Sequence, residues 1–153
     1  MSLIEARLKD LNIELPEVPK PLAAYIPAKQ AGQLIFTAGQ LPMVDGELFL
    51  KGLLGQDVEI EDANIAARIC TLNGLAAIKG LIGDLDRIKQ IVRVVGYVAS
   101  VPNFTQQPAV INGASELLLE IFGDKGKHAR SAVGMAVLPL NASVEVELTV
   151  EVN

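Results

Sequence analysis

The sequence predicts an α+β fold in which two helices cover one face of a single sheet. Segments 61–83 and 108–122 carry apolar residues at helical spacing, and segment 143–152 alternates apolar and polar residues as a half-buried strand does. Two helices cannot cover both faces of one sheet. The opposite face is therefore expected to meet solvent or another subunit.

The first 21 residues are predicted to form an extension packed on the domain. Ser2 and Glu5 match a capping box, which predicts a short helix at the start. Three prolines follow closely, at positions 16, 19 and 21, and proline at this density disfavours helix. We therefore divide the chain into an N-terminal extension, residues 1–21, and one domain, residues 22–153.

The next segment is predicted to contain three strands. Residues 22–28 and 33–38 are predicted to pair as a hairpin through a turn at 29–32. Asp45-Gly46 is a strong turn signal, and a third strand is predicted after it at 47–50.

The rest of the chain is predicted to alternate helices and strands, giving the order β-β-β-α-β-α-β-β. Its predicted helices lie at 61–83 and 108–122, and its predicted strands at 88–100, 131–138 and 143–152. Gly74 lies inside the first helix, where glycine costs about 1 kcal/mol relative to alanine. We expect it to allow close packing on the sheet, and we expect Gly83 to cap the helix.

Composition argues for an oligomer and against a nucleic-acid platform. Hydrophobic residues make up 50% of the chain and the mean hydropathy is +0.37, which leaves apolar surface for subunit contact. No unbroken apolar run reaches the roughly 18 residues of a membrane span. The net charge of −5 and an aromatic content of 4% are unlike those of a basic nucleic-acid surface.

The single cysteine and single histidine limit the chemistry that one chain can perform. Cys70 excludes an intrachain disulfide, and with His128 as the one histidine an ordinary zinc site cannot form within the chain. Cys70 is expected to be a buried, inert thiol. His128 is expected to be a solvated loop residue that could still tune the charge of a pocket. The first residues lack the features of a signal peptide, so a cytoplasmic protein is expected.

Four segments resemble a known family. They are Tyr25 with the residues before it, the segment FTAGQLP at 36–42, Asn112, and the C-terminal pattern of ARSAV at 129–133, LP at 138–139 and VEVE at 144–147. Together they resemble the Rid/YjgF family of reactive-intermediate deaminases, whose members also carry the label endoribonuclease L-PSP. The resemblance extends from about residue 22 to residue 152.

The resemblance implies a fold, an assembly and an activity. The implied fold is chorismate-mutase-like, with a mixed sheet and two helices on one face. The implied assembly is a homotrimer with clefts between subunits. Active members hydrolyse small 2-imino acids or enamines to a 2-oxo acid and ammonia, with no metal or organic cofactor. The resemblance assigns the substrate carboxylate to Arg130 and further site positions to Tyr25, Gly39, Asn112 and Glu145.

Each of these residues also has a purely structural interpretation. Arginine suits a carboxylate because its planar fork gives two parallel hydrogen bonds, but Arg130 could instead form a surface or interface ion pair. Glu145 could position water or move a proton, yet it also fits the polar side of an alternating strand. Tyr25 could be an ordinary strand aromatic, Gly39 a strand-end glycine, and Asn112 a solvent-facing helix residue.

Two departures from the family pattern keep other functions open. Ala38 stands where the family often has serine, and Ala132 stands where it often has cysteine, so two polar groups near the pocket are lost. A non-catalytic protein that binds or senses a small carboxylate is therefore an alternative. Endoribonuclease activity is a second alternative, against which the acidic pI of about 4.9 and the single histidine argue.

Overall fold

The computed structural model of the protein describes residues 2–18, 20 and 23–153. Over these residues the chain forms three α-helices and seven strands. In chain order they are α1 (Leu3–Asp10), β1 (Ala28–Ala31), β2 (Leu34–Thr37), β3 (Met43–Val44), β4 (Glu47–Leu48), α2 (Ile60–Ile82), β5 (Ile88–Ala99), α3 (Gln107–Phe122), β6 (Ala129–Met135) and β7 (Val144–Val152).

Five of the strands form one mixed sheet in the order β1-β2-β7-β5-β6. Strands β5 and β6 run parallel, whereas β1–β2, β2–β7 and β7–β5 are antiparallel pairs. The remaining two, β3 and β4, form a separate hairpin. The predicted α+β class, with helices against a sheet, is confirmed.

Strand β7 separates the two faces of the sheet. Its five apolar residues are all buried, and the polar residues between them are partly exposed, as the alternation predicts. The buried side faces α2 and α3, and together they form the main core. The other side, here called the open face, carries Glu145 and Glu147 on β7 together with Tyr97 on β5.

Helix α2 is the central helix of the core. Gly74 lies against β7, where an added Cβ would be 3.0 Å from Leu148 Cδ1, so the predicted close packing is confirmed. Gly83 ends the helix with φ of +83°. The helix is long and apolar enough to cross a membrane, but 61% of its most apolar window is buried, as in a core helix.

Helix α3 packs closely on both α2 and the sheet. An added Cβ at Gly113 would lie 2.1 Å from the backbone oxygen of Asn64 in α2, so the two helices approach to backbone contact. Asn64 Nδ2 donates to the carbonyl of Ala109 at 3.0 Å and fixes the crossing. On the sheet side, Gly96 leaves the space that the Ile111 side chain fills.

The N-terminal helix α1 is held on the domain by polar contacts at both ends. Ser2 Oγ accepts from the Glu5 backbone N–H at 3.1 Å, while the Glu5 carboxylate bonds Lys79 rather than completing the capping box. Asp86 accepts from the N–H groups of residues 3 and 4, each at 2.8 Å. Arg7 Nε donates to a carbonyl at the end of α3. The predicted boundary between residues 21 and 22 lies outside the described residues.

The predicted position of the first strand is wrong. Residues 23–27 are irregular, Leu22 lies outside the described residues, and the strand is Ala28–Ala31. The predicted turn at 29–32 lies instead at Gly32 and Gln33, with Gly32 at φ of +60°. Pro27 lacks the N–H that a strand requires, whereas the polar residues of β1 tolerate a sheet edge.

The other elements differ from prediction by small amounts. Strand β2 is shorter than the predicted 33–38, β6 starts two residues before the predicted 131, and β3 was not predicted. The Asp45-Gly46 turn is confirmed, because both residues have positive φ and join β3 to β4. The two long helices, β5 and β7 agree with prediction to within a residue.

The two helix glycines should respond differently to alanine. We expect Gly113→Ala to lower the free energy of unfolding by about 2–3 kcal/mol, because its Cβ meets rigid backbone of α2. Gly74→Ala should change it by about 1 kcal/mol or less, because Leu148 is flexible and alanine favours helix. Urea unfolding followed by circular dichroism measures both. Equal destabilisation by the two substitutions would contradict this account of the packing.

Candidate functional site

Arg130 lies on the edge strand β6 and points towards α3. In the parallel pairing it is aligned with Val94, which is fully buried on the helix side of the sheet, so Arg130 shares that side. Its Nη1 donates to Asn112 Oδ1 at 2.9 Å and to Ser115 Oγ at 3.2 Å. Both acceptors are on α3, so the helix and the edge strand together position the guanidinium.

A second pair of hydrogen bonds continues from Ser115. Its Oγ lies 2.8 Å from His128 Nε2, and His128 Nδ1 lies 2.6 Å from the carbonyl oxygen of Gly126. His128 is half-buried and bonded at both ring nitrogens, so the expectation of a solvated loop residue is wrong. Ser115 was not predicted, although it follows Asn112 by three residues on a helix, a spacing that places both on one face.

The Arg130 guanidinium retains most of its donors. Arginine has five N–H groups, and the two bonds above occupy those of Nη1. Within residues 2–18, 20 and 23–153, no acceptor bonds Nε or Nη2 and no carboxylate pairs with Arg130. The Nε–Nη2 edge can therefore take a planar anion through two parallel hydrogen bonds. Arg130, Asn112, Ser115 and His128 are here called the arginine half-site.

Glu145 and Gly39 meet on the open face of the sheet. Glu145 on β7 is paired with Tyr97 on β5. An added Cβ at Gly39 would lie 2.5 Å from Glu145 Oε2, so the absence of a side chain at Gly39 makes room for the carboxylate. Tyr25, Gly39 and Glu145 are here called the glutamate half-site.

A β-bulge shapes the chain at Gly39. Phe36 pairs with Thr149 and Gln40 pairs with Val146, so four steps on one strand match three on the other. One extra residue is therefore accommodated at Ala38-Gly39. Bulges of this kind redirect a side chain or end regular pairing, and they are frequent beside binding sites.

Tyr25 and Gly39 line one open cleft of about 630 Å³. Asn73 forms part of its wall and donates to the carbonyls of Leu41 and Met43, each at 3.1 Å, which fixes the loop after Gly39. Residues of the N-terminal extension complete the wall: Pro16, Glu17 and Lys20. Tyr25 is 52% exposed, so its ring is available to a ligand.

The two carboxylates of the open face have different surroundings. Partial burial, and secondarily the nearby Glu147, raise the pKa of Glu145 above its ordinary value. Glu147 instead accepts a hydrogen bond from Tyr97, and this bond raises the pKa of Tyr97 to about 12. No hydrogen bond to the Glu145 carboxylate is found in the described part of the chain.

The predicted site residues fall into two groups within one chain. Arg130 and Asn112 come together, Gly39 lies against Glu145, and Tyr25 lines the same cleft as Gly39. The structure does not join the two groups, because Arg130 points to the helix side of the sheet and Glu145 to the open face. Ala132, two residues beyond Arg130 on the same side, is half-buried and adds no polar group.

The described residues include no group of three or more His, Cys, Asp or Glu side chains that could hold a metal ion. Cys70 is fully buried, and its Sγ donates to the Val144 carbonyl at 3.7 Å. Burial raises the pKa of this thiol well above its ordinary value, which keeps it protonated. Cys70 is therefore part of the core and not of either half-site.

Comparison with protein families gives one match over nearly the whole chain. The model of a family described as YjgF/chorismate mutase-like, with the added label endoribonuclease, matches residues 5–152. The match begins inside α1 and includes every residue of both half-sites.

Known relatives extend over a similar length. Protein TCP17 of Trypanosoma cruzi is 40% identical over 151 residues, which are 98% of this chain and 94% of the relative. A 2-iminobutanoate/2-iminopropanoate deaminase of Dermatophagoides farinae is 27% identical over 136 residues, 88% of this chain and 91% of the relative. The crystal structure of the protein Atu1372 from Agrobacterium tumefaciens, described as having unknown function, is 47% identical with a TM-score of 0.90. The matched region covers 99% of this chain and 94% of the Atu1372 chain.

The raised pKa of Glu145 gives a stability test with a defined sign. A raised pKa means that folding disfavours the ionised form, so the contribution to stability is present at low pH and is lost as pH rises through the folded pKa. We expect Glu145→Gln to raise the Tm at pH 7 by about 2 °C and to leave it unchanged at pH 4.

Glu151→Gln is the matched control for this measurement. Hydrogen bonds from Gln90 and Lys89 lower the pKa of Glu151, so its ionised form is favoured in the folded protein. Its replacement should lower the Tm at pH 7. A Glu145→Gln protein that is less stable than wild type at pH 7 would contradict the interpretation that partial burial destabilises the ionised carboxylate.

Proposed function

The chain belongs to the YjgF/chorismate mutase-like family, also called Rid/YjgF, and from this premise we propose that it hydrolyses small 2-imino acids and their enamine forms to 2-oxo acids and ammonia. The deaminase among its relatives supports this choice of reaction, although its identity to this chain is 27%. The reaction adds water across a C=N bond and releases the nitrogen as ammonia.

One observation carries the proposal: the Nε–Nη2 edge of Arg130 is unoccupied among the described residues while Nη1 is fixed by two bonds. A partly buried guanidinium gains from an anionic partner, because burial of a charge is costly unless it is paired. A substrate carboxylate supplies the missing partner with matching planar geometry. Arg130 therefore acts as the anchor, and Asn112 holds it in place.

Glu145 supplies the proton transfers. Water must lose a proton as it attacks the imine carbon, and the leaving nitrogen must gain one. A carboxyl group with a raised pKa is suited to both steps, because it can hold or accept a proton nearer to neutral pH. Gly39 lies against the Glu145 carboxylate, and Gly39 and Tyr25 together line the cleft of about 630 Å³.

The two half-sites require a second subunit to meet. We place them at the interface of a homotrimer, in which the arginine half-site of one subunit faces the glutamate half-site of its neighbour. The open face supports this assembly, because Phe36 and Val133 on it are 45% and 40% exposed. The trimeric number follows the family resemblance.

A second candidate is a protein that binds small carboxylates without catalysis. It is favoured by Ala132, which leaves the side of β6 that carries Arg130 without a polar group next to the anchor. The arginine half-site then binds a 2-oxo acid, and no reaction follows. Pyruvate binding together with imine hydrolysis at the uncatalysed rate would establish this candidate.

The first activity test removes the anchor. We expect the wild type to accelerate loss of 2-iminopropanoate, generated in situ by an amino-acid oxidase. Arg130→Ala should lower kcat/KM about 100-fold, because a charge-assisted bidentate contact is lost. Arg68→Ala is the matched control, because Arg68 pairs with Glu120 on the outer surface of the helices. Full activity of Arg130→Ala would exclude Arg130 as the anchor.

A mixing experiment tests whether the site is shared between subunits. Arg130→Ala and Glu145→Gln should each be inactive, and the two proteins are unfolded together, refolded and compared with each refolded alone. Random assembly leaves about a quarter of the interface sites with both residues intact, so activity should return to about a quarter of wild type. Activity that fails to return in mixed oligomers would place both residues in one subunit's site or exclude one of them.

A further inference from the structure

A chain of hydrogen bonds, here called the relay, runs from Gly126 through His128 and Ser115 to Arg130. Each bond in it has a defined donor and acceptor. The Gly126 carbonyl oxygen can only accept, so His128 Nδ1 carries the proton in the 2.6 Å contact. In the neutral ring Nε2 is then an acceptor, and the Ser115 hydroxyl donates to it at 2.8 Å. The oxygen of Ser115 in turn accepts from Arg130 Nη1 at 3.2 Å.

The far end of this relay is rigid. Gly126 is buried at the end of a 3-10 turn, Gly123–Gly126, and an added Cβ would lie 2.4 Å from the Leu118 carbonyl oxygen in α3. The turn therefore rests directly on the helix that also carries Ser115 and Asn112. Both acceptors of Arg130 therefore lie on one rigid element, α3. The His128 ring lies between the turn and this helix.

Two acceptors on Nη1 fix the rotation of the guanidinium plane. Either bond alone would leave the long arginine side chain free to reorient, and its conformational entropy would then oppose ligand binding. With both bonds made, the Nε–Nη2 edge keeps one direction before the ligand arrives. Preorganisation of this kind acts on binding and leaves the chemical step unchanged.

We infer that Ser115 and His128 are positioning residues that orient the Arg130 guanidinium for a carboxylate ligand through this relay. The inference rests on the proposed function, because it assigns the ligand of Arg130 to the carboxylate class. Neither residue contacts the ligand. Ser115 acts on Arg130 directly, and His128 acts by holding the Ser115 hydroxyl with its oxygen lone pair towards Nη1.

Substitutions at the two positions should separate binding from catalysis. Ser115→Ala and His128→Phe remove the relay, and each should raise KM for 2-iminopropanoate and the Kd for pyruvate about five- to tenfold. Their kcat should stay within about twofold of wild type. Ser115→Thr keeps the hydroxyl and His128→Gln keeps an acceptor, so both should stay within about threefold of wild type in KM.

Nitrogen-15 NMR of the imidazole provides a readout that a purely structural role would not change. At pH 8 the wild type should show His128 with a protonated Nδ1 and an unprotonated, hydrogen-bonded Nε2. In Ser115→Ala the Nε2 signal should shift to that of a nitrogen without a donor, while Nδ1 stays protonated. A wild-type protein with the proton on Nε2 would overturn the relay.

The outcomes distinguish this inference from the proposed function. Unchanged KM and Kd in folded Ser115→Ala and His128→Phe, beside an active wild type, would overturn the positioning roles alone. Equal losses in the alanine and threonine variants would do the same, because threonine retains the hydroxyl that the relay requires and alanine removes it. A wild type that binds pyruvate without turnover keeps the Kd test valid. A wild type that neither binds pyruvate nor hydrolyses the imine would overturn both proposals.

Discussion

The packing of two helices on one side of strand β7 is the constraint on which the rest of the structure depends. The strict alternation of β7 sends its five apolar side chains into the core and its glutamates to the other face. Gly113 allows the backbones of α2 and α3 to approach closely, and Gly74 allows α2 to pack closely against Leu148 of β7. The helices thereby cover one face of the sheet. The open face carries polar and apolar side chains that are not part of the core.

This division explains why the candidate site is built in two parts. Arg130 lies on the helix side of the sheet, but on the edge strand β6, where its side chain is partly exposed. Glu145 lies on the open face, beside a bulge that places Gly39 against it. A single chain cannot turn both side chains to one point, because the sheet stands between them. The proposed trimer resolves this by bringing two sheets together at each site.

The polar groups of the two parts are held in different ways. The arginine half-site is held by a chain of hydrogen bonds that runs from Gly126 to Asn112. Helix α3 carries Asn112 and Ser115, and the turn that ends at Gly126 packs on the same helix. The glutamate half-site has one carboxylate without a hydrogen bond in the described part of the chain and a neighbour, Glu147, that is engaged by Tyr97. The first arrangement favours the fixed geometry that the proposed carboxylate anchor needs, and the second favours the mobile proton that the proposed acid–base role needs. The raised pKa of Glu145 opposes stability at neutral pH, which is typical of functional sites.

The sequence alone determined the fold class, the two long helices and the alternating last strand. These follow from local periodicity, which acts over a few residues and survives without knowledge of the rest of the chain. The segments that resemble a family also identified Arg130, Asn112, Gly39, Tyr25 and Glu145 as residues of interest. Their grouping could not be predicted. Spacing along the chain does not show which face of the sheet a residue occupies, nor which residues lie next to it there.

Tertiary structure decided the first strand, the missed strand β3 and the hydrogen bonds of His128. The first strand was misplaced because an apolar run signals burial without specifying strand pairing, and here Pro27 and the positive φ of Gly32 fix the hairpin. The sequence predicts only a loop residue at His128, because the residues beside it do not indicate a hydrogen-bond partner. Only the docking of the Gly123–Gly126 turn on α3 brings its ring between Gly126 and Ser115. A hydrogen-bond relay is a property of distances between elements, and those distances exist only after the elements have packed.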